Sequence, residues 1–303
     1  MPLTTLHLTP LPPFDFHQAV TGHGWYQLLP FSYDAGAGAL TWPQRLPGGE
    51  IARILVSGST VFEPEPWVRA EVETAQPLDN VQREELARTI AWVVNAERDL
   101  RSFYAHAAHD PGYAKAIAQA QGRFLRSPTL FEDFVKVICT TNTTWSQTKG
   151  MVKAVITGWG EPAVWEDDMC FPTPTALATA SEPELRTRGR LGYRAPYILE
   201  LAQRVTTGNL DLDTFRQPDI PTLELRKQLL RIKGIGPYAA ASLLTLLGHF
   251  DHLAVDSWTR KLVLPRYFPG RSDVSDAEIV ALYAGWQPFQ QLAYWFYDWG
   301  TDG

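Results

Sequence analysis

Residues 231–242 read RIKGIGPYAAAS, and no other stretch restricts the fold as tightly. A Leu/Arg/Lys-rich run ends here and an Ala/Leu-rich run begins, with Gly234, Gly236 and Pro237 between them. The spacing predicts two helices, Leu223–Ile232 and Tyr238–Gly248, joined by a turn over 233–237. Glycine permits positive φ and lets another molecule approach the main chain. Proline suits the first turn of a helix, where its missing N–H costs nothing. Such a turn offers free backbone N–H groups at a helix N-terminus, which is an anion site. Arg226, Lys227, Arg231 and Lys233 add positive charge. A nucleic-acid phosphate is the natural ligand, contacted without regard to base sequence. A plain helical hairpin with a glycine turn accounts for these residues equally well.

The next informative run is Leu253-Ala-Val-Asp-Ser-Trp258. Taken alone, Asp256 reads first as the N-cap of a helix over Asp256–Leu264. Paired with the hairpin, a second role opens for its carboxylate.

Charge and composition limit the partners. A net charge of −6 on 303 residues argues against nucleic-acid binding by the whole surface, though not by a local basic face. No apolar run approaches the ~20 residues that span a bilayer, so no membrane partner is expected. The start, MPLTTLHLTPLPP, lacks the basic and apolar regions of a signal peptide. Cys139 and Cys170 fit no metal or iron–sulfur spacing and read as reduced thiols. A cytoplasmic monomer is expected, nucleoid-associated if the source is bacterial, with no metal site in its chemistry.

Along the chain, residues 1–80 read as a β-rich domain with short runs at Leu3–Leu8, Ile51–Gly58, Val61–Phe62 and Val68–Val72, separated by Gly and Pro clusters. Residues 81–303 read as mainly helical, with about nine helices. Arg83–Tyr104 has helical spacing throughout. Ser127 and Pro128 read as N-cap and first position of a helix running towards Cys139. Further helices are expected at Thr148–Gly158, after Pro172, and at Ala195–Thr207, Asp276–Tyr283 and Phe289–Trp299. The expected class is α+β: a small N-terminal antiparallel sheet domain followed by a mainly α-helical, two-lobed region, with the hairpin at 223–248.

The hairpin with Asp256 after it resembles the helix-hairpin-helix (HhH-GPD) DNA glycosylase superfamily. Further segments carry the likeness: Phe124-Leu-Arg-Ser-Pro-Thr-Leu-Phe-Glu-Asp133, Ile138-Cys-Thr-Thr-Asn142, Gly150-Met-Val152, Phe171-Pro-Thr-Pro174, Leu191-Gly-Tyr-Arg194 and Tyr283-Ala-Gly-Trp286. They are similar to segments of two branches, the bacterial 3-methyladenine DNA glycosylase II branch and the 8-oxoguanine DNA glycosylase branch, from about residue 10 onward.

The resemblance implies an enzyme of base excision repair acting on damaged double-stranded DNA. Asp256 is then the catalytic carboxylate, stabilising positive charge on the sugar as the N-glycosidic bond breaks. Lys233, Gly234, Ile235 and Gly236 would hold the DNA backbone. The 8-oxoguanine branch has a lysine nucleophile at the position of Tyr238. Tyrosine forms no imine, so the resemblance implies a monofunctional hydrolase whose Tyr238 faces the base pocket. Gln291, Trp295 and Trp258 are the other pocket candidates, with Trp299 a weaker one. Asn142, Tyr193 and Arg194 fall where that branch fills the vacated stack and reads the partner base; Gln147 replaces a second partner-reading arginine. No cofactor is implied beyond a monovalent cation on the hairpin carbonyls.

A flipped-out alkylated purine is the first substrate expectation. An oxidised base such as 8-oxoguanine is the alternative, and a non-catalytic damaged-DNA-binding protein is a third.

Overall fold

The computed structural model describes residues 1–163, 165, 168–217 and 219–300. The fold is α+β. Five strands, β1 Leu3–Leu8, β2 Ser32–Asp34, β3 Ala39–Arg45, β4 Ile51–Gly58 and β5 Val68–Glu73, form one antiparallel sheet in the order β1-β5-β4-β3-β2. Alternation with period two selects the buried face: Leu40 and Trp42 on β3, Ala52, Ile54 and Val56 on β4, and Val68, Ala70 and Val72 on β5. Helix α1 (Phe16–Thr21) packs on β4, and α2 (Asn80–Val93) packs on β1.

Two features depart from the sequence expectation. The sheet gains β2 and β3, whose alternation is broken by Pro43. That proline pairs in register with Arg53 beyond the end of β2, where β3 is an edge and proline is tolerated. Val61–Phe62 is not a strand but part of a turn, with Phe62 91% exposed.

The remaining helices are α3 Arg101–Ala107, α4 Ala114–Ala118, α5 Leu130–Thr140, α6 Trp145–Trp159, α7 Pro174–Ala178, α8 Glu182–Thr187, α9 Ala195–Thr206, α10 Thr222–Leu229, α11 Pro237–Leu247, α12 Ser257–Tyr267, α13 Asp276–Leu282 and α14 Gln290–Trp295. The single helix expected over Arg83–Tyr104 is two, because Asn95 takes φ 54° just past the end of α2 and a left-handed residue ends a helix. The N-cap of α5 is Thr129, not Ser127: the Thr129 hydroxyl accepts from the Glu132 N–H, while the Ser127 N–H donates to Asp133 Oδ1 at 3.0 Å. The helix expected over Phe289–Trp299 is only the short α14.

Helix α5 is buried on every side from Leu130 to Cys139. It packs against α6 and α11, and α10 packs against α11. The early helices α3 and α4 return to the C-terminal end. There Tyr113 packs on Trp286 (4.6 Å between centroids), and its hydroxyl donates to the Ala293 carbonyl at 2.9 Å. That closure brings α14 beside the segment 22–25 between β1 and β2.

Candidate active site

The hairpin is built as its residues dictate. Gly234 has φ 87°, and a Cβ there would lie 2.7 Å from Cβ of Tyr197. The fold itself therefore demands glycine at 234. Gly236 differs: its φ is −87°, and a Cβ there would meet nothing within 4 Å. The glycine at 236 leaves open surface on the outside of the turn. The Ile235 N–H bonds inward to the Ile232 carbonyl at 3.0 Å and the Ile235 side chain is buried. So the free donors are not all those expected. Among the described residues they belong to Lys233, Gly234 and Gly236 in the turn, and to Tyr238 and Ala239 in the first turn of α11, where helix geometry leaves N–H groups without an acceptor.

The local positive charge is smaller than the sequence suggests. Lys233 pairs with Glu200 at 3.0 Å, and Lys227 lies 3.7 Å from Glu224. Arg231 stays exposed. The Lys233, Gly234 and Ile235 carbonyls accept no backbone hydrogen bond among the described residues, so oxygen donors for a monovalent cation remain in the turn.

Asp256 is both cap and cavity residue. Its Oδ1 accepts from the Thr259 N–H (2.7 Å) and the Thr259 hydroxyl (2.8 Å), forming the N-cap of α12. Among the described residues Oδ2 has no hydrogen-bond partner, and Asp256 lines a cavity of about 350 Å³, at the small end of the usual ligand-pocket range of roughly 300–1,000 Å³. Tyr238, Trp258, Gln291 and Trp295 line the same cavity, so the fold brings these five expected residues together.

Burial, reinforced by the Asp256 carboxylate, holds the Tyr238 phenol above its ordinary range, so it stays protonated. The Gln291 side chain is 2% exposed, and its Oε1 accepts the Ala254 N–H at 2.8 Å. An N–H donor must face the amide oxygen, which fixes the amide with its NH2 left over. Trp258 is 51% exposed, with the Lys261 ammonium 4.7 Å from its ring centroid. Trp299 lies outside this cavity, its indole N–H donating to the Tyr294 carbonyl.

Asn142, Tyr193 and Arg194 form a separate cluster beyond the end of α5. Asn142 is exposed at φ 46°, and its Nδ2 lies 3.4 Å from the hydroxyl of Tyr193, itself 45% exposed. Arg194 is placed differently from the expectation. It is buried, it stacks 4.5 Å from the Tyr193 ring centroid, and it donates to the Thr141 carbonyl. That geometry makes it the anchor of the 141–142 turn rather than a group that reaches out to a base. Gln147 closes a capping box with Thr144.

The sequence reading did not identify a second wall of the cavity, His23, Trp25, Phe124 and Trp145. Trp25 donates to Asp133 Oδ1 (2.8 Å), Trp145 to Gln27 Oε1 (2.9 Å) and Trp295 to the Gly22 carbonyl (2.9 Å). With each indole N–H tied to the protein, the rings offer the cavity fixed aromatic surface. One signal was available. Gly22 and Gly24 flank His23, and a Cβ on Gly24 would lie 2.6 Å from the Trp145 ring, the kind of close approach that glycine marks.

Comparison with known proteins agrees with this architecture. The family described as HhH-GPD superfamily base excision DNA repair protein matches residues 135–282, from within α5 to the end of α13. A DNA-3-methyladenine glycosylase of Bacillus subtilis (strain 168) is 24% identical over 195 residues, 63% of this chain and 63% of that protein. The match thus spans less than two thirds of that relative's length. The structure of 3-methyladenine DNA-glycosylase from Archaeoglobus fulgidus superposes with a TM-score of 0.73 at 18% identity, covering 96% of this chain and 97% of that one. The Clostridium acetobutylicum 8-oxoguanine glycosylase/lyase, solved with double-stranded DNA containing cytosine opposite 8-oxoG, gives a TM-score of 0.64 at 19% identity, covering 86% and 87%. The last two establish likeness of fold.

Proposed function

We propose that this chain, whose residues 135–282 match the HhH-GPD superfamily, is a monofunctional DNA glycosylase that hydrolyses the N-glycosidic bond of a flipped-out alkylated purine. The observation that carries the reading is the cavity's set of ionisable groups. Among the described residues its lining has a carboxylate, two phenols and one imidazole, and no amine. Without an amine there is no Schiff base, so water rather than the enzyme takes the sugar carbon.

The same set bears on the leaving group. The His23 imidazole is lowered to about 4, chiefly by burial. The Tyr238 and Tyr294 phenols are pushed up, chiefly by burial. Neither the imidazole nor either phenol is therefore poised to protonate a departing base near neutral pH. A neutral oxidised base would leave without that help, whereas a base made cationic by alkylation needs none. Aromatic walls suit such a cation: stacking is worth roughly 1–3 kcal/mol per base, and a desolvated cation–π contact up to about 2 kcal/mol more.

In the proposed reaction the turn at 233–237 holds the DNA backbone while the target nucleotide leaves the stack, at a cost of a few kcal/mol. Its base enters between Tyr238 and the tryptophans. Cleavage of the C–N bond builds positive charge on the sugar, and Asp256 stabilises that charge more in the transition state than in the ground state. Oδ2 is free to orient and deprotonate the attacking water, which adds to the sugar carbon as the bonding pair departs with the base.

A second reading, an oxidised-base glycosylase, draws on the free NH2 of Gln291. One assay separates them: base release from duplexes carrying 3-methyladenine-type, hypoxanthine or 8-oxoguanine lesions, for wild type and Asp256→Asn, with and without alkali. Release of the alkylated base, strand scission only after alkali, and loss in the variant are expected. Spontaneous scission with borohydride trapping would sink the monofunctional reading and point to Lys261, the amine beside Trp258. Tight damaged-DNA binding that survives Asp256→Asn, with no base ever released, would make the protein a sensor.

A further inference from the structure

The cavity that Asp256 lines also holds an imidazole to which the proposed chemistry assigns no role. His23 sits between the rings of Trp25 (4.9 Å between centroids) and Phe124 (5.4 Å). Its Nε2 lies 2.6 Å from the Leu125 carbonyl oxygen. A carbonyl only accepts, so Nε2 carries a hydrogen, and in the neutral ring Nδ1 is left with a lone pair. Burial keeps the ring neutral, as shown above.

That lone pair has no protein donor. Nδ1 is neither hydrogen-bonded nor sealed away from solvent among the described residues, and His23 lines the cavity. The neighbouring indole N–H groups of Trp25, Trp145 and Trp295 already have acceptors elsewhere, so none can turn to His23. Its backbone neighbour Gly22 is fixed by Trp295, and its own ring by Leu125. The result is a fixed acceptor without a protein partner, on a residue that lines an aromatic cavity, and an N–H on a ligand can complete its hydrogen bond.

We infer that His23 is a specificity-determining residue whose Nδ1 accepts a hydrogen bond from an N–H on the extruded base, selecting alkylated purines that carry an exocyclic amine. The inference rests on the glycosylase reading, because it needs the base in this cavity. The Gln291 NH2 donates across the same space, so the pair would read one donor and one acceptor on a base edge. A carbonyl oxygen facing Nδ1 would leave two lone pairs opposed, which disfavours bases presenting only acceptors there.

The test compares two duplexes, one carrying an N-alkylated adenine and one carrying the same base with its amine replaced by hydrogen. Rates are corrected for spontaneous loss. Wild type should prefer the amine by about tenfold in kcat/KM. His23→Phe should erase that preference, and His23→Gln, which keeps an acceptor, should retain part of it. Asp256→Asn then holds each duplex uncut while the 15N resonance of Nδ1 is followed. An upfield shift is expected with the amine-bearing base and none with its analogue.

A folded His23→Phe variant with the wild-type preference, or an unmoved Nδ1 resonance, would overturn the inference while leaving the glycosylase intact. Absence of release by wild type would overturn the glycosylase reading. The Nδ1 shift, read without catalysis, would still decide whether His23 meets the base.

Discussion

The two walls of the cavity are held in opposite ways. Tyr238 and Asp256 stand at the starts of α11 and α12, and local structure fixes them: a proline in the first turn, and a capping box closed within four residues. His23, Trp25, Trp145 and Trp295 are fixed by partners 102, 108, 118 and 273 residues away in sequence. The near wall carries the carboxylate and is partly exposed. The far wall carries shape and neutral polarity. Chemistry thus rests on elements that form locally, while selectivity rests on the closure of the whole fold. Damage to the two walls should therefore be separable.

The largest effect should come from Asp256→Asn. Asparagine caps a helix nearly as well as aspartate, so the melting temperature should stay close to wild type. Base release should fall by roughly 10²–10⁴-fold. A matching loss of stability would mean that the carboxylate acts as a cap alone, and the distinction between the walls would collapse. Asp133→Leu attacks the far wall. It strips the acceptor from the Trp25 indole and the Ser127 N–H, both buried, and should cost about 3 kcal/mol in denaturant unfolding. Asp133→Asn keeps an acceptor and should cost about a third of that. Activity lost by the leucine variant should appear in KM more than in kcat.

The hairpin gives a finer contrast within the near wall. Gly234→Ala would push a Cβ against Tyr197 at positive φ and should cost about 1–3 kcal/mol. Gly236→Ala meets no protein atom and should leave stability within about 0.5 kcal/mol, yet weaken DNA binding several-fold by holding a strand off the turn. Unchanged DNA binding in Gly236→Ala would show that the outer face of residue 236 touches nothing. Because Lys227 and Lys233 already have acidic neighbours, binding should also show a shallow salt dependence for a DNA-binding protein.

The same division explains what could be read from the residues. Gly234, Gly236, Pro237 and Asp256 announce a turn and a helix start by local rules, and the β/α composition change near residue 80 announces the class. Gln291 and Trp295 required the likeness to a family before their spacing of four meant anything. The far wall could not be read, because no periodicity links Trp25 to Asp133 or Gly22 to Trp295. The misplacements follow the same logic. Asn95 broke a periodic run through a single backbone angle, and Thr129 displaced Ser127 as cap because the Ser127 hydroxyl is taken by the Lys136 ammonium. Arg194 looked like a reader of DNA because its sequence context gives no sign that the Thr141 carbonyl would hold it inside.

The smallest effect tests the neutrality of the far wall. The His23 imidazole is lowered to about 4, below the unfolded value of roughly 6.5. Between these two values the unfolded chain binds the extra proton, so His23 costs stability as pH falls from about 6.5 to about 4 and costs nothing further below that. Open contact with the cavity screens the effect to on the order of 1–2 kcal/mol. Lys136 faces the ring from α5 and disfavours its protonation. Glu132 and Asp133 on the same helix, both pushed up by burial, act with the opposite sign, because the folded state binds their protons first. The total pH profile therefore mixes signs, and only a difference isolates the imidazole. His23→Gln should lose less stability than wild type on going from pH 6.5 to 4, and run parallel to it above pH 7. Parallel curves throughout would mean that the ring is solvated and titrates normally. It would then be cationic in mild acid and unsuited to share a cavity with a cationic base, and the far wall would lose the neutrality on which the choice of an alkylated substrate depends.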